Sequence, residues 1–138
     1  ILQDALEDEL VFDKLHKGLD VIFSLLGGLQ QQYIEAANLT EKGRVIVSFT
    51  TGIHKDYEGK NISLPLFSSV IEQAKKLGFK KMITELTGIY SQNAAKKRFQ
   101  FKPLFEIRYK DFEYKGEKIF EKFPEGSNPT CILMERVL

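Results

Sequence analysis

Apolar residues recur at helical spacing through the N-terminal part of the chain. Leu2, Leu6 and Leu10 lie four apart, and Leu15, Leu19, Ile22 and Leu26 continue at intervals of four, three and four. That spacing lines up one face of a helix. Gly18 and the pair Gly27-Gly28 predict breaks. Asp13 can cap a new helix after the first, and residues 30–37 can carry another turn or two. The stripe is expected to pack against a neighbouring layer, with Gln30, Gln31 and Gln32 on a solvated face.

After Gly43 the pattern changes. Residues 44–53 are β-branched and aromatic, with Val45, Ile46, Val47, Phe49, Thr50, Thr51 and Ile53. A nearly continuous run of this kind marks a strand covered on both faces. A polar loop, 54–61, follows. Leu64, Phe67, Val70, Ile71, Ala74 and Leu77 then form one face of the clearest helix. Asn61 or Ser63 can cap it, Pro65 sits in its first turn where no N–H is needed, and Gly78 closes it. Residues 80–86 read as a second strand, 91–99 as a short basic helix, and 104–109 and 130–137 as two more strands. A charged, aromatic connector, residues 110–128, separates the last two.

The order from Gly43 is therefore strand, helix, strand, helix, strand, strand. A helix between two strands implies a parallel pair, whereas strands without one are expected to be antiparallel. The predicted class is α/β, a mixed β-sheet with a parallel central pair, an antiparallel C-terminal edge and flanking helices. The chain has 138 residues and shows no repeat or linker. It reads as one domain, 1–138, with a helical part over 1–42 and a core over 43–138.

Composition narrows function mainly by exclusion. There are 20 Lys and Arg against 19 Asp and Glu, a net charge of +1, which gives no general reason to expect nucleic acid or a membrane surface. The longest apolar stretch, Val21 to Leu29, is interrupted by Ser24, Gly27 and Gly28 and is short of the roughly 20 residues that span a bilayer. The acidic N-terminal segment has the wrong charge for a signal or transit peptide. Cys131 is the single cysteine, so an internal disulfide and a zinc ribbon are excluded. It reads as a small buried hydrophobe, and a reducing, cytoplasmic setting is the default. His16 and His54 lie in no ligand motif, and no metal site is expected.

Candidate chemistry begins at the turn after the first strand. In a strand–loop–helix unit the backbone N–H groups at the helix mouth favour an anion such as a diphosphate. Residues 54–63 form that turn here, with Lys55 and Lys60 adding positive charge. From the residues alone a plain connecting loop stays open beside an anion site. Glu85, near the end of the second strand, can orient an amine; a solvent-facing or salt-bridged carboxylate fits equally well. His54 is the only imidazole close to the first strand, and a surface-loop role suits it better than that of a base. Phe105, Tyr109, Phe112, Tyr114, Phe120 and Phe123 can line an apolar pocket or simply fill the core.

Three segments carry a resemblance. Tyr57-Glu58-Gly59-Lys60-Asn61-Ile62-Ser63, with the helix that ends Ala74-Lys75-Lys76-Leu77-Gly78-Phe79, resembles the acetyl-coenzyme A segment of the GCN5-related N-acetyltransferases. Residues 85–92, Glu-Leu-Thr-Gly-Ile-Tyr-Ser-Gln, are similar to the second parallel strand and next helix of the arylalkylamine N-acetyltransferase branch. Glu106-Ile107-Arg108-Tyr109-Lys110-Asp111-Phe112, Gly116, Phe120 and residues 132–138 are similar to that branch's closing strands. The resemblance covers about two-thirds of the chain, from Arg44 to Leu138. It implies the C-terminal part of the family fold without its N-terminal strands. The chain is then either a fragment or one whose sheet a second copy or partner chain completes.

The resemblance also implies roles. Thr51, Gly52 and Ile53, on the strand from Val47, would offer main chain to the pantetheine arm of acetyl-coenzyme A. The amides of Glu58, Gly59, Lys60, Asn61, Ile62 and Ser63 would hold its diphosphate. Ser91 and Thr87 match hydroxyl positions near the acetyl group, where a hydroxyl can protonate the leaving thiolate or relay a proton from the amine; Tyr90 is the runner-up acid. The substrate would be a small primary amine that attacks the thioester directly. Some residues depart from the family pattern. Glu58 replaces Gln or Arg, Asn61 the first Gly, Ser63 the second Gly or Ala, and Gln100-Phe101 the usual Gly-Phe, one residue further from Ser91 than usual. These departures support an alternative, a non-catalytic subunit or scaffold of the same fold.

Overall fold

The computed structural model describes residues 18–37, 44–123, 126 and 128–138. The helical stripe at Leu2, Leu6, Leu10 and Leu15 and the cap at Asp13 lie outside the described residues. Helix α1 (Gly18–Ala37) is continuous, so the breaks expected at Gly27-Gly28 do not occur. Glycine inside a helix costs about 1 kcal/mol relative to alanine. Burying one leucine returns about 1.5–3 kcal/mol, and both Leu25 and Leu29 are fully buried on the inner face of α1. The tertiary face outweighs the local preference. Gly28 also fits the packing, since a Cβ there would sit 3.6 Å from Ile107 Cδ1.

The remaining elements alternate as the pattern predicts. Strand β1 (Val45–Ser48) leads through a 3-10 turn at Lys55–Tyr57 into helix α2 (Ser63–Lys76). Strand β2 (Lys81–Leu86), helix α3 (Ile89–Phe99), strand β3 (Lys102–Arg108), a 3-10 turn at Tyr109–Asp111 and strand β4 (Thr130–Val137) follow. The four strands form one mixed sheet in the order β1-β2-β4-β3. β1 runs parallel to β2, and β4 is antiparallel to both β2 and β3. β4 inserts between its two neighbours, a placement the linear order of elements does not reveal.

Alternation along β2 and β4 divides the core. On one face Ile83, Cys131 and Leu133 pack with Leu25, Leu29 and Tyr33 of α1. On the other, Met82, Ile132 and Met134 pack with Ile71 and Ala74 of α2 and Ala95 and Phe99 of α3. The sheet is thus sandwiched between helices, and the strands covered on both faces are β2 and β4. β1 is shorter than residues 44–53 and only half-buried. It has β2 on one side and no strand partner on the other among the described residues. No described helix is long and apolar enough to cross a membrane.

Candidate functional site

The parallel pair comes apart within the sheet. Pairing of β1 with β2 ends where Ser48 lies opposite Thr84, and the Thr84 hydroxyl donates a 3.0 Å hydrogen bond to the Ser48 carbonyl at that last rung. Beyond it β2 continues through Glu85 and Leu86, while residues 49–53 leave the sheet. The gap between them is a cleft of about 360 Å³. Phe49, Thr51 and Ile53 line one wall, Glu85, Leu86 and Thr87 the other. Ser63 and Leu64 of α2 and Ser91 and Ala95 of α3 close the remaining sides.

The mouth of α2 carries free donors. Gly59 (φ 72) and Asn61 (φ 55) both adopt the left-handed conformation, which glycine takes freely and asparagine tolerates. Leu64 N–H bonds back to Asn61 O at 3.3 Å, and Leu66 N–H to Ile62 O at 3.2 Å. None of the N–H groups of Gly59, Lys60, Asn61, Ile62 or Ser63 finds an acceptor among the described residues. The helix has no side-chain cap, so the expected cap by Asn61 or Ser63 is not made. A nest of unpaired amides at a helix mouth is the donor set an anion requires. Charge adds little. Lys60 Nζ lies over the Tyr57 ring at 5.0 Å, and Lys55 and Lys60 are offset in sequence by Asp56 and Glu58. The donor set suits an anion through amides rather than net charge.

The opposite wall is held by backbone acceptors. Gln92, buried on α3, donates from Nε2 to Leu86 O at 3.0 Å and to Thr130 O at 2.8 Å. The Tyr109 hydroxyl donates to Thr87 O at 2.6 Å, and Asn128 Nδ2 donates to the same carbonyl. These bonds pin the β2–α3 turn, on which Thr87 and Ser91 stand. Ser91 Oγ donates to Gly88 O at 2.8 Å. Nothing in the sequence pattern singles out Gln92 or Asn128, and Tyr109 reads there as a pocket or core aromatic.

The structure brings Thr51, Ile53, Ser63, Thr87 and Ser91 to the cleft. Gly52 lies between two lining residues, and Glu58, Gly59, Lys60, Asn61 and Ile62 form the exposed approach to α2. Tyr90 points outward, 88% exposed, and does not line the cleft. His54 also lies outside it; its Nδ1 accepts a 3.4 Å bond from Asp56 N–H and closes the 3-10 turn. Glu85 is buried and so is not a solvent-facing carboxylate. Among the described residues no His, Cys, Asp and Glu cluster could hold a metal ion.

No protein-family model matches the chain, and no curated protein sequence does. Solved structures do. The C-terminal condensation domain of Ebony, in complex with beta-alanyl-dopamine, has a TM-score of 0.74 at 20% identity, over 87% of this chain and 57% of that one. Arylalkylamine N-acetyltransferase 2 from Aedes aegypti has a TM-score of 0.70 at 22% identity, over 94% and 58%. An agmatine N-acetyltransferase has 0.69 at 15% identity, over 94% and 62%. The chain therefore spans somewhat over half the length of the structures it matches. The likeness shows the fold, which is that of GCN5-related acetyltransferases, arylalkylamine N-acetyltransferases among them.

Proposed function

We propose that the chain is the coenzyme-binding part of an N-acetyltransferase that moves an acetyl group from acetyl-coenzyme A to a small primary amine of the arylalkylamine kind. The observation that carries this reading is the fork between β1 and β2. Two parallel strands that pair only from Val45↔Lys81 to Ser48↔Thr84 and then separate leave main-chain groups of residues 49–53 without a strand partner. An extended, amide-bearing arm satisfies such groups as another strand would. The unpaired amides from Gly59 to Ser63 stand at the entrance of the same cleft.

Bound there, the coenzyme supplies an activated acetyl thioester. The protein's own contribution is position, a proton source and exclusion of water. Ser91 Oγ holds a proton beside the cleft, in a hydrogen bond to Gly88 O, and Thr87 stands one turn earlier. Phe49, Ile53, Leu64, Phe67 and Phe99 give the cleft apolar walls. A second reading, a non-catalytic module of the same fold, is favoured by Glu58, whose carboxylate stands on the approach where an anion would arrive.

Calorimetric titration with acetyl-coenzyme A separates the two. Micromolar binding, weakened by a bulky residue at the fork such as Thr51→Trp, supports the transferase. Absence of binding at millimolar ligand overturns it in favour of the scaffold.

A further inference from the structure

Among the described residues that line the cleft, Glu85 is the one with an ionisable side chain. It follows Thr84, the last rung of the parallel pair, so it stands where the fork opens. Its side chain shares a sheet face with Ile83, two residues earlier, and Ile83 packs with Leu25 and Leu29 of α1. The carboxylate therefore faces α1, across the sheet from the α2 mouth.

The residue is 7% exposed, yet neither carboxylate oxygen has a hydrogen-bond partner among the described residues. Among the described residues, no cation is among the groups that act on its proton. Gln30 on α1 and the residue's own backbone N–H are near enough to favour the ionised form, though neither completes a hydrogen bond. Cys131 on β4 is a neutral neighbour whose own proton is held tightly, first by burial and then by Glu85 itself. Tyr33, a titratable group on the inner face of α1, donates at 2.6 Å to Glu135, which also pairs with Lys81 at 3.0 Å. Burial raises the Glu85 carboxyl above the ordinary glutamate range. An unpaired buried carboxylate destabilises a fold unless something binds it. Such a group, buried beside the point where β1 and β2 part, is complementary to a ligand that brings the missing cation and its N–H donors.

We propose that Glu85 anchors the ammonium group of the amine substrate at the fork and accepts the proton that must leave before attack. This rests on the transferase reading and adds the acceptor side of the site to it. The proton balance is closed. The ammonium gives one proton to the Glu85 carboxylate, which later releases it to water. The nitrogen lone pair forms the C–N bond to the acetyl carbon as the C–S bond breaks. The second proton leaves nitrogen and ends on sulfur, by way of the Ser91 hydroxyl. A carboxyl raised by burial suits this task, since a base works best with a pKa near the working pH.

The test compares the full chain with Glu85→Gln, using tyramine as the amine probe. Acetyl-coenzyme A affinity should stay within about twofold, because the diphosphate nest is untouched. Tyramine binding by calorimetry should weaken at least about tenfold, and amine-dependent turnover should fall by about 100-fold or more, the scale of a lost general base. The rise of wild-type turnover with pH through the raised carboxyl value should vanish in the variant. The melting temperature at pH 8 should hold or rise, because a buried charge is removed; a fall of several degrees would mark Glu85 as a structural partner and overturn the proposal. Unchanged tyramine binding in Glu85→Gln also overturns it. Should acetyl-coenzyme A fail to bind wild type, the transferase reading fails, and the tyramine titration alone decides Glu85.

Discussion

The Thr84 hydroxyl donates to the Ser48 carbonyl at 3.0 Å, and that bond is the last link between two parallel strands before they part. A main-chain acceptor at a fork is otherwise easily left unpaired, and here a side chain from the neighbouring strand completes it. Thr84 is buried and aims this bond along the sheet. Thr84→Val keeps the shape and removes the donor. It should cost about 1 kcal/mol of stability, read as a lower urea midpoint with unchanged slope. It should also weaken acetyl-coenzyme A binding, because the fork loses its fixed vertex.

Ser91 tests the donor side. Its hydroxyl lines the cleft and bonds to Gly88 O at 2.8 Å, so alanine removes a proton source without disturbing the amides at the α2 mouth. Ser91→Ala should lower kcat by about 100-fold, within the range of general-acid contributions, with acetyl-coenzyme A affinity nearly unchanged. Steady-state kinetics beside calorimetry checks both. Unchanged turnover would remove Ser91 from the chemistry.

Gln100 closes α3 in the left-handed conformation, φ 58 and ψ 29. The family that the sequence resembles has glycine there, and the physical reason is plain. A side chain with a Cβ pays about 1–2 kcal/mol in that region, and glycine pays nothing of the kind. Gln100 is exposed, so its side chain contributes little packing in return. Gln100→Gly should therefore stabilise the protein by about 0.5–1 kcal/mol. Thermal and urea unfolding would register this, and a loss of stability would show that the glutamine side chain has a role in the native state.

Much of this was legible along the chain, and the reasons differ by element. The strand at Thr130–Val137 is apolar on both faces and follows Pro129, so its limits were readable to the residue. Residues 49–53 are as β-branched and aromatic as a strand, yet they leave the sheet. Side chains record fitness for a pleated surface, not the presence of a partner. Gly27 and Gly28 read as a break because local propensity cannot see Leu25 and Leu29 seated against β4 and β2. The burial of Glu85 was hidden for the same reason. It depends on β4 entering beside β2 and on α1 covering that face, both contacts between distant parts of the chain. Family resemblance points to the hydroxyls at Thr87 and Ser91, whereas the Gln92 and Asn128 bonds that hold their turn join distant parts of the chain and leave no local pattern.

The turn bearing Thr87 depends on a phenol that should betray itself in alkali. Tyr109 donates to Thr87 O at 2.6 Å. Burial, assisted by the nearby Cys131 thiol and partly opposed by Asn128, pushes its pKa from 10.0 up to about 12. A folded state that holds its proton more tightly than the unfolded chain gains stability that is fully present below pH 10.0 and is lost as pH rises through about 12. Cys131, pushed from 9.0 up to about 12 by its own burial, acts in the same direction. Wild-type stability should thus decline from about pH 9 upward. Tyr109→Phe should cost about 1 kcal/mol at pH 7 and decline less steeply above pH 10, so that the two proteins converge. Urea midpoints at pH 7, 10 and 11 supply the comparison. Parallel curves would mean that the Tyr109 proton is held no more tightly in the fold than outside it, and that the Thr87 carbonyl is anchored chiefly by Asn128.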